Sequence, residues 1–110
     1  GDSADDVPLS QSAANFAMLE IFYEGYGGAN PRSEKILSPN GRIFNIASIE
    51  NNNPDPATTM IRQSRYTISG TSITIDASRS GYLTLSSTGV VHTLGSGVIR
   101  ITRVDGYVDA

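Results

Sequence analysis

His92 is the chain's one histidine, and cysteine is absent. Thiol catalysis, disulfides and Cys-based zinc sites are therefore excluded, as is any metal site needing two imidazoles. A Ser–His–Asp site would have to be assembled from His92, one of 14 serines and a distant aspartate. No Gly-x-Ser-x-Gly elbow supports it, and Gly95-Ser96-Gly97 reads as plain loop. Within Val90-Val91-His92-Thr93-Leu94, the imidazole reads as a half-buried strand or loop residue. Glycoside hydrolysis needs two carboxylates facing across a cleft. Glu20 and Glu24 share a strand face, but four residues of extended chain separate their Cα atoms by about 13 Å. They read as exposed, solubilising charge. Asp5 and Asp6, or Asn52, Asn53 and Asp55, offer oxygen ligands of the kind calcium accepts. Neither group has the spacing of a calcium loop. Gly25-Tyr26-Gly27-Gly28 lacks the lysine and helix of a phosphate cradle. The expectation is a protein without cofactor, metal or catalytic residues.

Binding is the remaining chemistry. Tyr23 and Tyr26 flank the Gly25–Gly28 loop, and aromatic faces beside Asn and Asp suit sugar rings. Tyr23, Tyr26, Asn52, Asn53 and Asp55 are accordingly the candidate ligand-binding residues. Arg62 and Arg65 differ by an odd number, as do Arg100 and Arg103, so regular strands would turn each pair to opposite faces. With a net charge of −3 and no basic stripe, a nucleic-acid partner is not expected. Apolar runs last only a few residues, so no membrane insertion is expected either.

The elements that must carry these residues follow from composition and period. Fourteen Ser, nine Thr, seven Asn and 11 Gly beside a single lysine, Lys35, suit short strands and turns rather than surface helices. Residues 1–6 read as a flexible N-terminal linker, and 7–110 as one domain. Val7–Leu9 reads as an edge strand that tolerates Pro8, although Ser10 is also placed to cap a short helix. In residues 17–24, Leu19, Ile21 and Tyr23 share one face. Ser33–Leu37 and Arg42–Glu50 follow, separated by Ser38-Pro39-Asn40-Gly41 turn chemistry. On Arg42–Glu50 both faces look partly covered, with Phe44 and Ile46 opposite Ile43, Ala47 and Ile49. Asn51–Pro56 is a loop, Thr58–Ser69 a long strand, and Tyr66–Ile75 a hairpin around Ser69-Gly70. Tyr82–Leu85 and Val98–Val108 are further strands, with Ser86–Gly97 a small-residue loop between them. The fold class is all-β: an antiparallel β-sandwich, jelly-roll-like or Greek-key, of about seven or eight strands.

Four phrases occur in order: Leu9-Ser10-Gln11-Ser12-Ala13-Ala14-Asn15-Phe16 leading into Leu19-Glu20-Ile21-Phe22-Tyr23; Ser38-Pro39-Asn40-Gly41; Tyr66-Thr67-Ile68-Ser69-Gly70-Thr71-Ser72-Ile73-Thr74; and Ile99-Arg100-Ile101-Thr102-Arg103-Val104-Asp105-Gly106-Tyr107. The series resembles a C-terminal β-domain of bacteriophage and prophage tail-fibre or minor structural proteins. The resemblance implies a non-enzymatic virion component, a homo-oligomer with a trimer favoured, contacting a host-surface polysaccharide or another tail subunit. It carries no catalytic residues. A free-standing bacterial carbohydrate-binding or adhesin domain, at the cell surface or secreted, is the alternative.

Overall fold

Period-two alternation sets the main core strands, and the computed structural model describes residues 6–50, 59–86, 88–95 and 99–109. Nine strands form among them: β1 (Val7–Pro8), β2 (Met18–Glu24), β3 (Arg32–Leu37), β4 (Ile43–Glu50), β5 (Thr59–Ser69), β6 (Ser72–Ile75), β7 (Gly81–Ser86), β8 (Gly89–Leu94) and β9 (Arg100–Tyr107). The only helical elements among these residues are three single 3₁₀ turns, at Ala13–Asn15, Tyr26–Gly28 and Ala77–Arg79.

Two antiparallel sheets result. The larger runs β1-β6-β5-β7-β8, with β4 on the other side of β5, and the smaller runs β3-β2-β9. β5 is long enough to share one edge between two partners, β6 along 66–69 and β7 along 59–63. Non-sequential neighbours such as β2–β9 and β1–β6 rule out a simple up-and-down meander.

Alternate residues from both sheets meet in one core. Leu19, Ile21 and Tyr23 of β2 pack with Phe44 and Ile46 of β4, Tyr66 and Ile68 of β5, and Ile73 of β6. Phe44 and Tyr66, directly paired across β4 and β5, stack with ring centroids 5.5 Å apart. Each such aliphatic side chain contributes about 1.5–3 kcal/mol by leaving water, so this alternation is what drives the sheets together.

Turns fasten one end. The Asn40 side chain accepts from the Gly70 N–H at 2.9 Å, and the Gly41 N–H donates to the Ile68 carbonyl at 2.8 Å. The expected hairpin closes at Ser69↔Ser72, with Gly70 at φ 58° opening its two-residue loop. At the N-terminus the edge-strand reading holds. Ser12 rather than Ser10 does the capping, and it caps only one 3₁₀ turn before the extended backbone of Phe16.

Three expectations are corrected. Gly89–Leu94, placed inside a loop, is strand β8, paired with β7 over six consecutive residues. Its Ser and Gly flanks point to a loop, and the pairing with β7 outweighs them. On β4 only the Phe44, Ile46, Ser48, Glu50 face is covered, while Ile43 and Ile49 are 54% and 62% exposed. On β9 the register against β2 shifts between Phe22 and Tyr23, so Arg103 lies opposite Phe22 and Arg100 opposite Glu24. That bulge adds one residue and re-phases the strand, which turns Arg100 and Arg103 to the same face. Most of the N-terminal linker, the Asn51–Pro56 loop, Thr58, part of Ser86–Gly97 and Val98 lie outside the described residues.

Candidate functional site

The two tyrosines singled out by sequence have different fates. Tyr23 is 6% exposed and belongs to the core between the sheets. It is no stacking platform, because its position on the Leu19–Ile21–Tyr23 face commits it to the interior. Tyr26 is 64% exposed, on the 3₁₀ turn after β2, and its ring lies 5.1 Å from the Arg62 guanidinium. Tyr82 approaches the same guanidinium at 5.5 Å. Arg62 is ion-paired with Glu50, whose other oxygen accepts from the Ser48 hydroxyl at 2.9 Å. Asn30 ties the loop down through its side-chain amide, which donates to the Ile49 carbonyl at 2.8 Å. Tyr26 therefore covers a buried charge as well as facing solvent. Asn52, Asn53 and Asp55 lie outside the described residues.

His92 stands exposed on β8, with no hydrogen bond or ion pair to an acid among the described residues. No group of three or more His, Asp or Glu side chains is placed to hold a metal among them. A cleft of about 310 Å³ opens between Val7–Gln11 and β9, lined by Phe16, Leu19 and Ile101 without an acid or histidine. None of these places assembles a nucleophile and base. No helix among the described residues is long and apolar enough to cross a membrane.

The outer face of the small sheet is organised differently. Register places Lys35, Glu20 and Asp105 in one row, Ser33, Phe22 and Arg103 in the next, and Leu37, Met18 and Tyr107 on the far side. Glu20 is held at both oxygens, by the Ser33 hydroxyl at 2.7 Å and the Tyr107 hydroxyl at 3.3 Å. Arg103 donates to Asp105 at 2.7 Å while its guanidinium lies 5.4 Å from the Phe22 ring centroid. Arg100 approaches Glu24 at 3.8 Å. The Asp105 hydrogen bond makes Arg103 hold its proton more firmly than a free arginine. Loss of hydration, and then the Glu20 charge, push the Tyr107 hydroxyl above its ordinary 10.0.

Three cations (Lys35, Arg100, Arg103) thus balance three anions (Glu20, Glu24, Asp105) around an aromatic centre. Carboxylates that accept, cations that donate and a ring that stacks are what a polyhydroxylated ligand requires. The zero net charge disfavours a polyanion. Sequence reasoning had put Glu20 and Glu24 on an exposed face. Their partners on β9, Tyr107 and Arg100, lie far off in sequence, and the bulge that turns Arg100 toward Glu24 leaves no mark in period-two counting.

Beyond Arg65, opposite Asn45, the outer face of the large sheet has the opposite character. Ile49, Ile61, Leu83 and His92 form one row across four strands, beside Thr59, Leu85 and Val90 on one side and Ala47, Gln63, Gly81 and Leu94 on the other. None of these residues is an acid, lysine or arginine. The chain matches no family model, no curated protein and no solved structure.

Proposed function

We propose that the chain is a non-enzymatic contact domain, of the tail-associated kind its sequence resembles, and that it binds an uncharged host-surface glycan on the outer face of the small sheet. The observation that carries this reading is the fixed, charge-balanced row around Phe22. Glu20 and Arg103 are already held by Ser33, Tyr107 and Asp105, so binding loses little side-chain entropy. Its place would be the virion or a prophage product, with the bacterial cell surface as the alternative.

Binding of the purified domain to whole bacterial cells, and to neutral polysaccharide extracted from them, tests it. Glu20→Gln and Arg103→Ala should each weaken binding about tenfold or more, the loss expected when a charge-assisted hydrogen bond is removed. Tyr26→Ala should bind as well as the parent, since that ring lies against Arg62 of β5 and not on the outer face of the small sheet. Unchanged binding by both small-sheet variants would overturn the reading. Loss on Tyr26→Ala alone would return the site to the Gly25–Gly28 loop. A second reading, docking on another subunit of the assembly, is favoured by the uncharged row Ile49–Ile61–Leu83.

A further inference from the structure

An open sheet edge offers unpaired N–H and C=O groups to any strand that can reach it, and proteins blunt such edges with proline, charge, bulges or shortness. Three of the exposed edges here are treated in that way, and a fourth, β4, has one outward carbonyl taken by a loop side chain. β1 is two residues long and contains Pro8. Beyond it, the Ile75 N–H of β6 is taken up by the Asp6 carboxylate at 2.9 Å. β3 carries Arg32, Glu34 and Lys35, all exposed. β9 carries Arg100, Arg103 and Asp105 and is broken by the bulge. β4 is met by the Asn30 amide at the Ile49 carbonyl.

β8 has none of these devices. Its sequence is Gly-Val-Val-His-Thr-Leu, without proline, lysine, arginine or acid, and its pairing to β7 has no bulge. All six residues are exposed, Val90, Val91 and Leu94 at 62%, 63% and 60%. Among the described residues β8 pairs with β7 alone.

We infer that β8 pairs antiparallel with β8 of a second copy of this chain, about a two-fold axis through His92. A two-fold perpendicular to the sheet keeps each side chain on its own face, so only residues of equal parity can oppose one another. Centring on His92 sets Val91 against the partner's Thr93 and Val90 against the partner's Leu94. Every non-glycine residue of the strand then gains a β-branched, aliphatic or imidazole neighbour. No lysine, arginine or carboxylate on the strand opposes its own image. Edges β1, β3 and β9 would bring a proline, a bulge or fixed charge to the seam, and on β4 the Asn30 amide already takes the Ile49 carbonyl. The pairing joins two large sheets into one and sets the two Ile49–Ile61–Leu83–His92 rows end to end. It stands whether or not the small-sheet face binds glycan.

The contact is small. A five-residue ladder buries less than the roughly 800 Å² per partner of a standard interface, so the dimer should be weak and reversible, to be sought between about 1 µM and about 1 mM. Sedimentation velocity across that range should follow a monomer–dimer equilibrium. Val91→Lys, at an exposed position, should weaken it at least tenfold without changing monomer unfolding. Because the chain has no cysteine of its own, disulfide trapping reads the register directly. Paired Cα atoms in an antiparallel ladder lie about 4.5–5.5 Å apart, within disulfide reach. Under mild oxidation His92→Cys should give a covalent dimer and Val91→Cys should not. A monomer throughout the range, a trimer or fibre insensitive to Val91→Lys, or trapping at position 91 in preference to 92, would each overturn the pairing.

Discussion

Glu50 and Arg62 are diagonal neighbours on the inner face of the β4–β5 pair, and their side chains form an ion pair that is only 4% and 7% exposed. Ser48 donates to the carboxylate, and Tyr26 and Tyr82 flank the guanidinium. A buried pair of this sort is costly to break, because the survivor is left as an uncompensated charge. Arg62→Ala or Glu50→Ala should each lose about 3–5 kcal/mol in urea unfolding. Replacing both together, Glu50→Leu with Arg62→Met, should cost less than either single change, since both desolvation penalties disappear. If the double variant loses the sum of the two, the pair is not acting as one unit.

Acid should loosen the turn at Ala77–Arg79. Asp76 accepts from the Ser78 hydroxyl at 2.6 Å and the Ser78 N–H at 3.1 Å, and from Arg79 at 2.9 Å. The Ser78 hydroxyl first, and Arg79 next, hold this carboxyl below its ordinary 3.8. A carboxyl depressed in the folded state supports folding fully above its unfolded value and ceases to as pH falls through the folded one. The contribution is therefore present above pH 3.8 and lost below it. An NMR titration of the Asp76 carboxyl should place its midpoint under 3.8, and Ser78→Ala should move it upward. A midpoint at or above the ordinary value would contradict the capping geometry.

How much of this was legible follows the reach of period-two counting. The Leu19–Ile21–Tyr23 face and the Tyr66–Ile75 hairpin were readable because pattern and turn residues agree locally. β8 was missed because Val90–Leu94 is β-branched but framed by Ser86, Gly89 and Gly95, and only pairing with β7 decides in favour of strand. The Arg100–Arg103 relation was reversed because one extra residue in a ladder depends on the facing strand. Half of the small-sheet face was visible in Glu20 and Glu24. The half supplied by Tyr107, Arg103 and Asp105 comes from the other end of the chain, where no local pattern reaches. The Tyr26–Arg62 contact was invisible for the same reason.

Gly106 is required by a neighbour rather than by its own backbone. It sits opposite Leu19 on β9, and a Cβ there would come within 2.6 Å of the Phe16 ring. Phe16 is half-buried against the core. Gly106→Ala should force that ring aside and cost about 1–3 kcal/mol, as overpacking typically does. In a domain of this size that corresponds to a melting point lower by roughly 4 °C or more per kcal/mol. Phe16→Leu in the Gly106→Ala background should cost less than the two single changes added together, because the smaller side chain vacates the contested space. Strict additivity would mean that the ring and the glycine do not meet.

Two buried serines should respond in opposite ways to the same change. Ser80 is 1% exposed, and its hydroxyl donates to the Asp76 carbonyl at 2.7 Å while accepting from the Arg65 N–H at 3.0 Å. Ser64, at 0%, has a hydroxyl with no hydrogen-bond partner among the described residues. Removing a satisfied group orphans its partners, at a cost of about 1–3 kcal/mol. Removing an unsatisfied one relieves a desolvation penalty that folding had already incurred. Ser80→Ala should therefore destabilise the domain by about that amount. Ser64→Ala should leave the urea midpoint unchanged or raise it, with an unchanged denaturant slope, since the alanine fills nearly the same volume between Ile46 and its neighbours. A loss above about 1 kcal/mol at Ser64 would mean that its hydroxyl is satisfied in solution.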